Sequence, residues 1–197
     1  MMVAIQLHEA QADVLRIYRG GFSGSLVSAL VWSSSAAAYQ WASPGAAMAV
    51  LFLGGMLIFP LAALVLKMMG GPAFLPKGHP ATPLAIQSAV TVPLGLLVAV
   101  VLGTLEPAFF FPAALIIVGA HYLTFISLYG TWLFGVLAGS LVTVGAVALF
   151  ALPALREPSG WIGAAMLLAS AVPLYLNYRA SIARGPHSAE QKAPAFP

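Results

Sequence analysis

The chain has no cysteine and very little charge. Charged residues make up 7% of its 197 residues and hydrophobic residues 61%, whereas an ordinary soluble domain carries about 25% charged residues. The absence of cysteine excludes disulfides, thiolate nucleophiles and Cys-ligated zinc or iron–sulfur sites. The scarcity of charge excludes a water-solvated surface over most of the chain, and therefore indicates an integral membrane protein.

The few basic residues are scattered. Eight Lys and Arg residues against five Asp and Glu residues give a net charge of +3. Because they lie between apolar runs and form no basic patch, nucleic acid is not an expected partner. The expected partner is the lipid bilayer, and the positions of these residues bear on orientation within it.

Six apolar segments are long enough to cross a bilayer, which takes about 20 helical residues each. The sequence therefore predicts an all-α polytopic membrane protein with about six transmembrane helices, in a domain of residues 20–180. A tight turn at Gly130 separates the fourth span from the fifth, and the count of six depends on it. The predicted spans are residues 20–41, 46–69, 83–103, 107–129, 131–155 and 158–178.

Both termini lie outside these spans. In residues 1–19, apolar side chains recur at three- and four-residue steps, which predicts an amphipathic helix on the membrane surface. The alternatives are an N-terminal extension of the first span and a cytosolic helix packed on the protein. Arg16 and Arg19 before an apolar run resemble a signal peptide, but Glu9 and Asp13 in the leader favour an uncleaved first span. Residues 181–197 are polar and contain Pro, and are expected to form a disordered cytoplasmic tail.

Basic residues favour one side of the predicted membrane domain. The other side has only Arg156, close to Glu106 and Glu157. Since cytoplasmic segments are enriched in Lys and Arg, both termini are expected in the cytoplasm. The basic residues on the predicted cytoplasmic side are Arg16, Arg19, Lys67, Lys77, Arg179, Arg184 and Lys192.

The six spans divide into two groups of three that share a pattern. Each group begins with a tight first turn and ends with a span that carries a Val-Pro-Leu sequence, at residues 92–94 and 172–174. Two halves of three spans have inverted topology, an arrangement common in transporters. A 3+3 repeat is one interpretation, and a chance match in Ala- and Val-rich sequence is the other.

His121 is the residue titratable near neutral pH that lies well inside a predicted span. Ionisable groups are costly in hydrocarbon, so His121 is a candidate site residue facing the bundle interior or a cavity. The alternative is a neutral imidazole bonded to the next helix. His121 lies about 12 Å from the cytoplasmic end of its helix. Polar residues at similar depth define a candidate ligand-binding or pathway cluster: Ser25, Ser28, Gln87, Ser88, Thr91, Tyr122, Thr124, Ser170 and Tyr175.

Glu106 is a further candidate, at the predicted outer mouth between the third and fourth spans. Its alternative role is to cap the helix that begins at Pro107. About 22 Å of helix separates it from His121, so the two could not share one proton directly. The chain has no HExxH, P-loop or G-x-S-x-G motif, and its four His residues are dispersed. No metal or cofactor is therefore expected.

Residues 111–125 and the Leu128-Tyr129-Gly130 turn resemble a segment of small uncharacterised bacterial multi-span membrane proteins. That family has Val-Gly-Ala-His-Tyr-Leu, here residues 118–123, followed by a Leu-Tyr-Gly turn, but has Pro where this chain has Thr124. The resemblance implies a bacterial cytoplasmic membrane and draws attention to His121, Tyr122 and Tyr129.

Three functions fit this sequence. The first is a transporter or channel-like protein for a small neutral or amphipathic solute, with its polar site near His121. The second is a non-catalytic membrane module, such as a sensor, a partner subunit or a lipid-interacting protein, and small-residue pairs such as Gly135 and Gly139 are compatible with a homo-oligomer. The third is a membrane enzyme acting on lipid with His121 as base. The missing motifs favour a protein that is not an enzyme.

Overall fold

The computed structural model describes residues 2–184, and these residues form helices and turns with no β-strand. The prediction of an all-α fold is confirmed. Short 3-10 or π-helical turns lie at residues Arg19–Gly21, Pro107–Phe109, Val147–Ala151 and Pro153–Leu155. The main helices are α1 (Met2–Ile17), α2 (Phe22–Trp41), α3 (Pro44–Met68), α4 (Thr82–Leu105), α5 (Phe110–Tyr129), α6 (Leu133–Ala146) and α7 (Ser159–Ala183).

Five helices are long and apolar enough to cross a membrane, which is the architecture of a membrane-embedded protein. They are α3, α4, α5 with its preceding turn, α6 with its following turn, and α7. Helix α2 is not one of them, because six of its 20 residues are serine. Four of those serines are buried in the bundle: Ser23, Ser25, Ser28 and Ser35.

Helices that follow one another in the chain pack side by side from α2 to α7, and α2 also packs against α7. The long helices therefore form a closed ring, as expected when short connections join antiparallel neighbours. Bulky side chains fill its interior. The rings of Trp32 and Phe111 lie 6.0 Å apart between α2 and α5, and Gly163 lets α7 approach, since a Cβ there would lie 2.8 Å from Trp32 and Leu115.

Helix α1 packs on one end of this ring. Val14 is fully buried, the Gln11 Nε2 donates to the carbonyl of Ser127 at 2.7 Å, and Asp13 Oδ2 lies 3.6 Å from His79 Nε2 in the α3–α4 loop. Leu7, by contrast, is 55% exposed. Helix α1 therefore packs on the protein along one face and has an exposed face on the other.

A left-handed turn joins α1 to α2. Arg19, Gly20 and Gly21 have φ angles of 47°, 74° and 80°, a region that residues with a side chain rarely adopt. A Cβ on Gly20 would lie 2.7 Å from the carbonyl oxygen of Leu174. The Arg19 guanidinium donates to the carbonyl of Met69 at 3.0 Å and so caps the end of α3.

Two boundaries bear on the sequence predictions. Gly130 ends α5 in the left-handed conformation and α6 begins at Leu133, so the predicted turn is present. Helix α7 runs to Ala183, three residues beyond the predicted end of the membrane domain at residue 180. The rest of the predicted tail, residues 185–197, lies outside the described residues.

Candidate functional site

Three predicted site residues meet between α4 and α5. Ser88 Oγ lies 2.9 Å from His121 Nδ1 and 2.6 Å from Thr124 Oγ1. Thr124 Oγ1 in turn donates to the carbonyl oxygen of His121 at 2.7 Å. Thr124 is one helical turn after His121, so both face Ser88 from the same side of α5. We call these three residues the His121 cluster.

The His121 cluster lines a groove of about 300 Å³ between α4 and α5. Thr91 and Ala120 along it are exposed, so the groove opens on the outer surface of the helix ring rather than into its centre. The residues that line the groove are Ser88, Thr91, Gly95, Ile117, Ala120, His121 and Thr124.

Aromatic side chains fix the imidazole of His121. Its ring lies 4.7 Å from that of Phe125 in an edge-on arrangement and 5.6 Å from that of Tyr122. Phe125 is itself held by Phe134 of α6, with ring centroids 5.2 Å apart. The ring of His121 is thus supported from α5 and α6 while its polar edge faces α4.

Tyr122 and Ser28 form a separate polar spot on the inner side of α5. Tyr122 is buried and lies beside Ser25 and Ser28 of α2. Ser25 Oγ is fully buried and has no hydrogen-bond partner among the described residues. Consecutive helical residues point about 100° apart, so Tyr122 faces α2 while His121 faces α4.

Three other predicted residues lie apart from the His121 cluster. Gln87 is exposed. Tyr175 packs its ring against Phe22, with centroids 5.0 Å apart. Glu106 accepts a bond from the backbone N–H of Ala108 at 3.4 Å, as a cap at the other end of the bundle.

Two hydroxyls among the candidates bond within their own helices. Thr91 lines the groove and donates to the carbonyl of Gln87 at 2.8 Å. Ser170 donates to the carbonyl of Leu167 at 2.7 Å. Both contacts match the back-bonding that is common for Ser and Thr in helices. Neither residue therefore donates a hydrogen bond to the His121 cluster.

A second groove, of about 420 Å³, lies between α2 and α3. Its lining is apolar except for Ser34, whose hydroxyl donates to the carbonyl of Leu30 at 2.9 Å. Such a groove offers a ligand no directional contact. Among the described residues, no three His, Asp or Glu side chains are grouped closely enough to hold a metal ion.

Sequence reasoning identified the members of the His121 cluster but not Phe125 and Gly95. Phe125 follows His121 by four residues, a helical spacing that could have indicated their contact. Gly95 lies close to Ile117 of α5, where a Cβ would be 2.5 Å from Ile117 Cγ2. The sequence carries no signal that pairs these two positions, because they belong to different helices.

A protein-family model, described as a family of unknown function (DUF7010), matches residues 7–179. The matched range contains α2 to α6, most of α1 and α7, and every residue that lines the α4–α5 groove. Neither a curated protein nor a solved structure matches the chain. The expectation of a family without an established function is confirmed.

Proposed function

The chain belongs to this family of unknown function, and we propose that it is a membrane carrier for a small neutral or amphipathic solute. The solute binds in the α4–α5 groove at His121. One observation carries the proposal: Ser88 lies 2.9 Å from His121 and 2.6 Å from Thr124, so three polar side chains meet between two helices that carry no acidic or basic residue other than His121. Polar groups at this depth are costly and are usually functional.

The absence of charge in the groove argues for an uncharged polar group on the solute. None of the lining residues is an acid, a lysine or an arginine. A charged group taken from water into this site would have no opposite charge to compensate it. Hydrogen bonds from uncharged side chains suit a hydroxyl, amide or similar group, with any apolar part lying along Ile117 and Ala120.

The packing favours a carrier over an open channel. Trp32, Phe111 and Leu115 fill the interior of the ring, and the polar groove opens towards lipid. Helix α4 is the least enclosed long helix, with 17% of its most apolar stretch buried against 50% for α5. A rearrangement of α4 would therefore disturb little packing, and could expose the groove alternately to the two sides.

We count α2 as the sixth span. Its 20 residues are about 30 Å long, which matches the hydrocarbon thickness. A two-residue connection joins it to α3, and it packs along both α3 and α7. Because its buried serines face the bundle and Leu30 is exposed, α2 can cross the membrane despite its lower hydropathy.

Orientation follows from the two ends of this bundle. The end that holds α1 also holds the Arg19 cap on α3 and, by chain direction, the ends of α5 and α7. The described basic residues other than Arg156 lie towards that end. By the positive-inside rule, we propose that both termini lie on the cytoplasmic side of a bacterial inner membrane.

Flux measurements test the carrier proposal. Purified protein is reconstituted in phosphatidylcholine vesicles, and uptake of radiolabelled glycerol and of octyl glucoside below its micellar concentration is followed. Wild-type protein is expected to accelerate uptake of at least one probe. His121→Asn, which removes Nε2 but keeps an N–H near the position of Nδ1, is expected to abolish the gain.

Ser140→Ala is the matched control, because Ser140 bonds only to its own helix, at the carbonyl of Val136. It should leave uptake unchanged. Equal uptake by the wild type and by His121→Asn would remove His121 from the transport path. No protein-dependent uptake of either probe would count against a carrier.

A lipid-cleaving enzyme is the second candidate, because Ser88 Oγ and His121 Nδ1 are 2.9 Å apart, as in a nucleophile–base pair. That reaction requires Nδ1 to accept the proton of Ser88. Release of fatty acid from phospholipid vesicles by purified protein, and its loss in Ser88→Ala, would identify this activity.

A further inference from the structure

The three hydrogen bonds of the His121 cluster limit where its protons can lie. The cluster lines the solute site of the proposed carrier, and any inference about its ligand rests on that proposed function. Each hydroxyl supplies one proton, a neutral imidazole supplies one proton from either ring nitrogen, and a carbonyl oxygen only accepts. Three close contacts therefore share three protons, and each contact needs one.

The assignment starts at Thr124. Its Oγ1 lies 2.7 Å from the backbone carbonyl oxygen of His121, and the carbonyl has no proton, so the proton of Thr124 lies in this contact. The contact of 2.6 Å between Ser88 Oγ and Thr124 Oγ1 must then hold the proton of Ser88. No hydroxyl proton is left for the third contact.

The third contact, of 2.9 Å between Ser88 Oγ and His121 Nδ1, can only hold a proton carried by Nδ1. A neutral imidazole protonated at Nδ1 has a lone pair at Nε2. The opposite tautomer would leave two lone pairs facing each other at under 3 Å in one of the contacts. The doubly protonated ring would place a charge at hydrocarbon depth without a carboxylate.

Nε2 is the remaining polar atom of the ring. No described side chain hydrogen-bonds to it; besides the contact of Nδ1 with Ser88 Oγ, the ring has a backbone hydrogen bond at Ser88. Ser25 Oγ is the one fully buried side-chain N or O atom without a partner among the described residues, so Nε2 is not a sealed atom left without a partner. His121 lines the groove, so a molecule in the groove can reach this lone pair.

We infer that the groove selects molecules that donate a hydrogen bond, through a hydroxyl or an uncharged N–H group on an apolar body, to His121 Nε2. Molecules with acceptors only, such as ethers, ketones and esters, leave Nε2 unpaired or face it lone pair to lone pair. A site built around one polar partner rejects analogues that lack the matching group. The expected preference is about tenfold or more, as for an unmade hydrogen bond.

The first experiment reads the tautomer directly. NMR spectra of the ring nitrogens are recorded on the full protein in nanodiscs, labelled with isotope-enriched histidine, and the His121 signals are assigned by their loss in His121→Asn. Nε2 is expected to resonate as an unprotonated ring nitrogen and Nδ1 as a protonated one. Protonation at Nε2 alone would overturn the inference and favour Ser88 as a nucleophile.

The second experiment uses decanol and decyl methyl ether as probes in the same nanodiscs. Decanol can donate to Nε2 and the ether cannot. Decanol is expected to shift the Nε2 signal and to bind about tenfold more tightly than the ether. Equal binding of the two would overturn donor selection while leaving a solute site at the groove, and binding of neither would overturn both proposals.

Thr124→Val and Ser140→Ala complete the test. Thr124→Val removes the acceptor that holds the proton of Ser88, so the Nδ1-protonated tautomer loses its support, and the preference for decanol is expected to fall. Ser140→Ala should keep the wild-type preference. An unchanged tautomer and preference in Thr124→Val would show that the hydroxyl chain does not set them.

Discussion

Gly95 of α4 lies directly against Ile117 of α5, where a Cβ would stand 2.5 Å from Ile117 Cγ2. Ile117 is one turn before His121 and Gly95 is two turns after Ser88. The close crossing of the two helices therefore sets how far apart the two polar side chains lie. It also closes the groove at its apolar end.

Gly95→Ala is expected to destabilise the protein and to loosen the Ser88–His121 bond. Ile117 is β-branched and cannot easily turn away, so overpacking costs about 1–3 kcal/mol. The midpoint of thermal unfolding in detergent, together with the His121 ring-nitrogen signals, measures both effects. Gly139→Ala is the control, because a Cβ there meets nothing within 4 Å.

For the control, the gain in helix propensity should stabilise the protein by up to about 1 kcal/mol. Gly95→Ala is thus expected to lower the stability and Gly139→Ala to raise it. The difference in sign distinguishes the effect of the close contact from the effect of helix propensity. If Gly95→Ala were as stable as Gly139→Ala, the crossing would not be close in solution.

Gly20→Ala is expected to weaken the junction between α1 and α2. The substitution adds strain at φ 74° and a Cβ 2.7 Å from the carbonyl oxygen of Leu174. Gly70→Ala provides the matched comparison, since Gly70 has φ 72° but open space around it. Gly70→Ala should lower the stability by about 1 kcal/mol through backbone strain. Gly20→Ala should lower it further, because the clash with Leu174 adds to the same strain. Equal unfolding midpoints would contradict the packing of Gly20 on α7.

Arg156→Lys is expected to destabilise the Val147–Ala151 turn that follows α6. Arg156 donates to the carbonyls of Ala148 and Leu149 at 3.2 and 3.1 Å, and its guanidinium lies 4.8 Å from the ring centroid of Phe109. Lysine cannot make the same forked contacts. The expected loss is about 1.5–3 kcal/mol, measured by unfolding. Glu157→Gln, next in the chain, should change stability less.

Tyr18 gives a pH dependence outside the membrane-spanning helices. Burial raises the pKa of its phenol above the ordinary value of 10.0, partly offset by a backbone hydrogen bond at Leu75. The folded state therefore holds this proton more tightly than the unfolded state. The free energy of unfolding should fall as pH rises above about 10, until the pH passes the pKa of the folded state.

Tyr18→Phe is the comparison for this dependence. Its unfolding free energy should fall less steeply with pH than that of the wild type over the same range, because the phenol no longer titrates. Parallel curves for the two proteins would show that Tyr18 is not buried.

The sequence was informative about helices and depth, because long apolar runs and the length of a bilayer constrain both. The turn at Gly130 and the cap at Glu106 are two helix boundaries that the sequence indicated and the structure contains. Rotation about each helix axis was not constrained in the same way. His121 and Tyr122 are consecutive and equally deep, yet they face α4 and α2 respectively, and only the packing of whole helices decides this.

Ser88 illustrates the same limit. Its depth made it one of several candidates on α4, together with Gln87 and Thr91. The structure places its hydroxyl on His121 and Thr124, whereas Gln87 is exposed. A contact between positions 33 residues apart leaves no periodic trace in a single sequence.

The inward-facing serines of α2 also affect how the protein is made. Insertion of a segment from the translocon into lipid depends on its hydrophobicity, and α2 is less apolar than the five helices that come after it. Its neighbour α3 is strongly apolar and begins after only two residues. Membrane entry of α2 is thus expected to await synthesis of α3, so that the pair inserts as a hairpin and α7, made last, covers the remaining polar side.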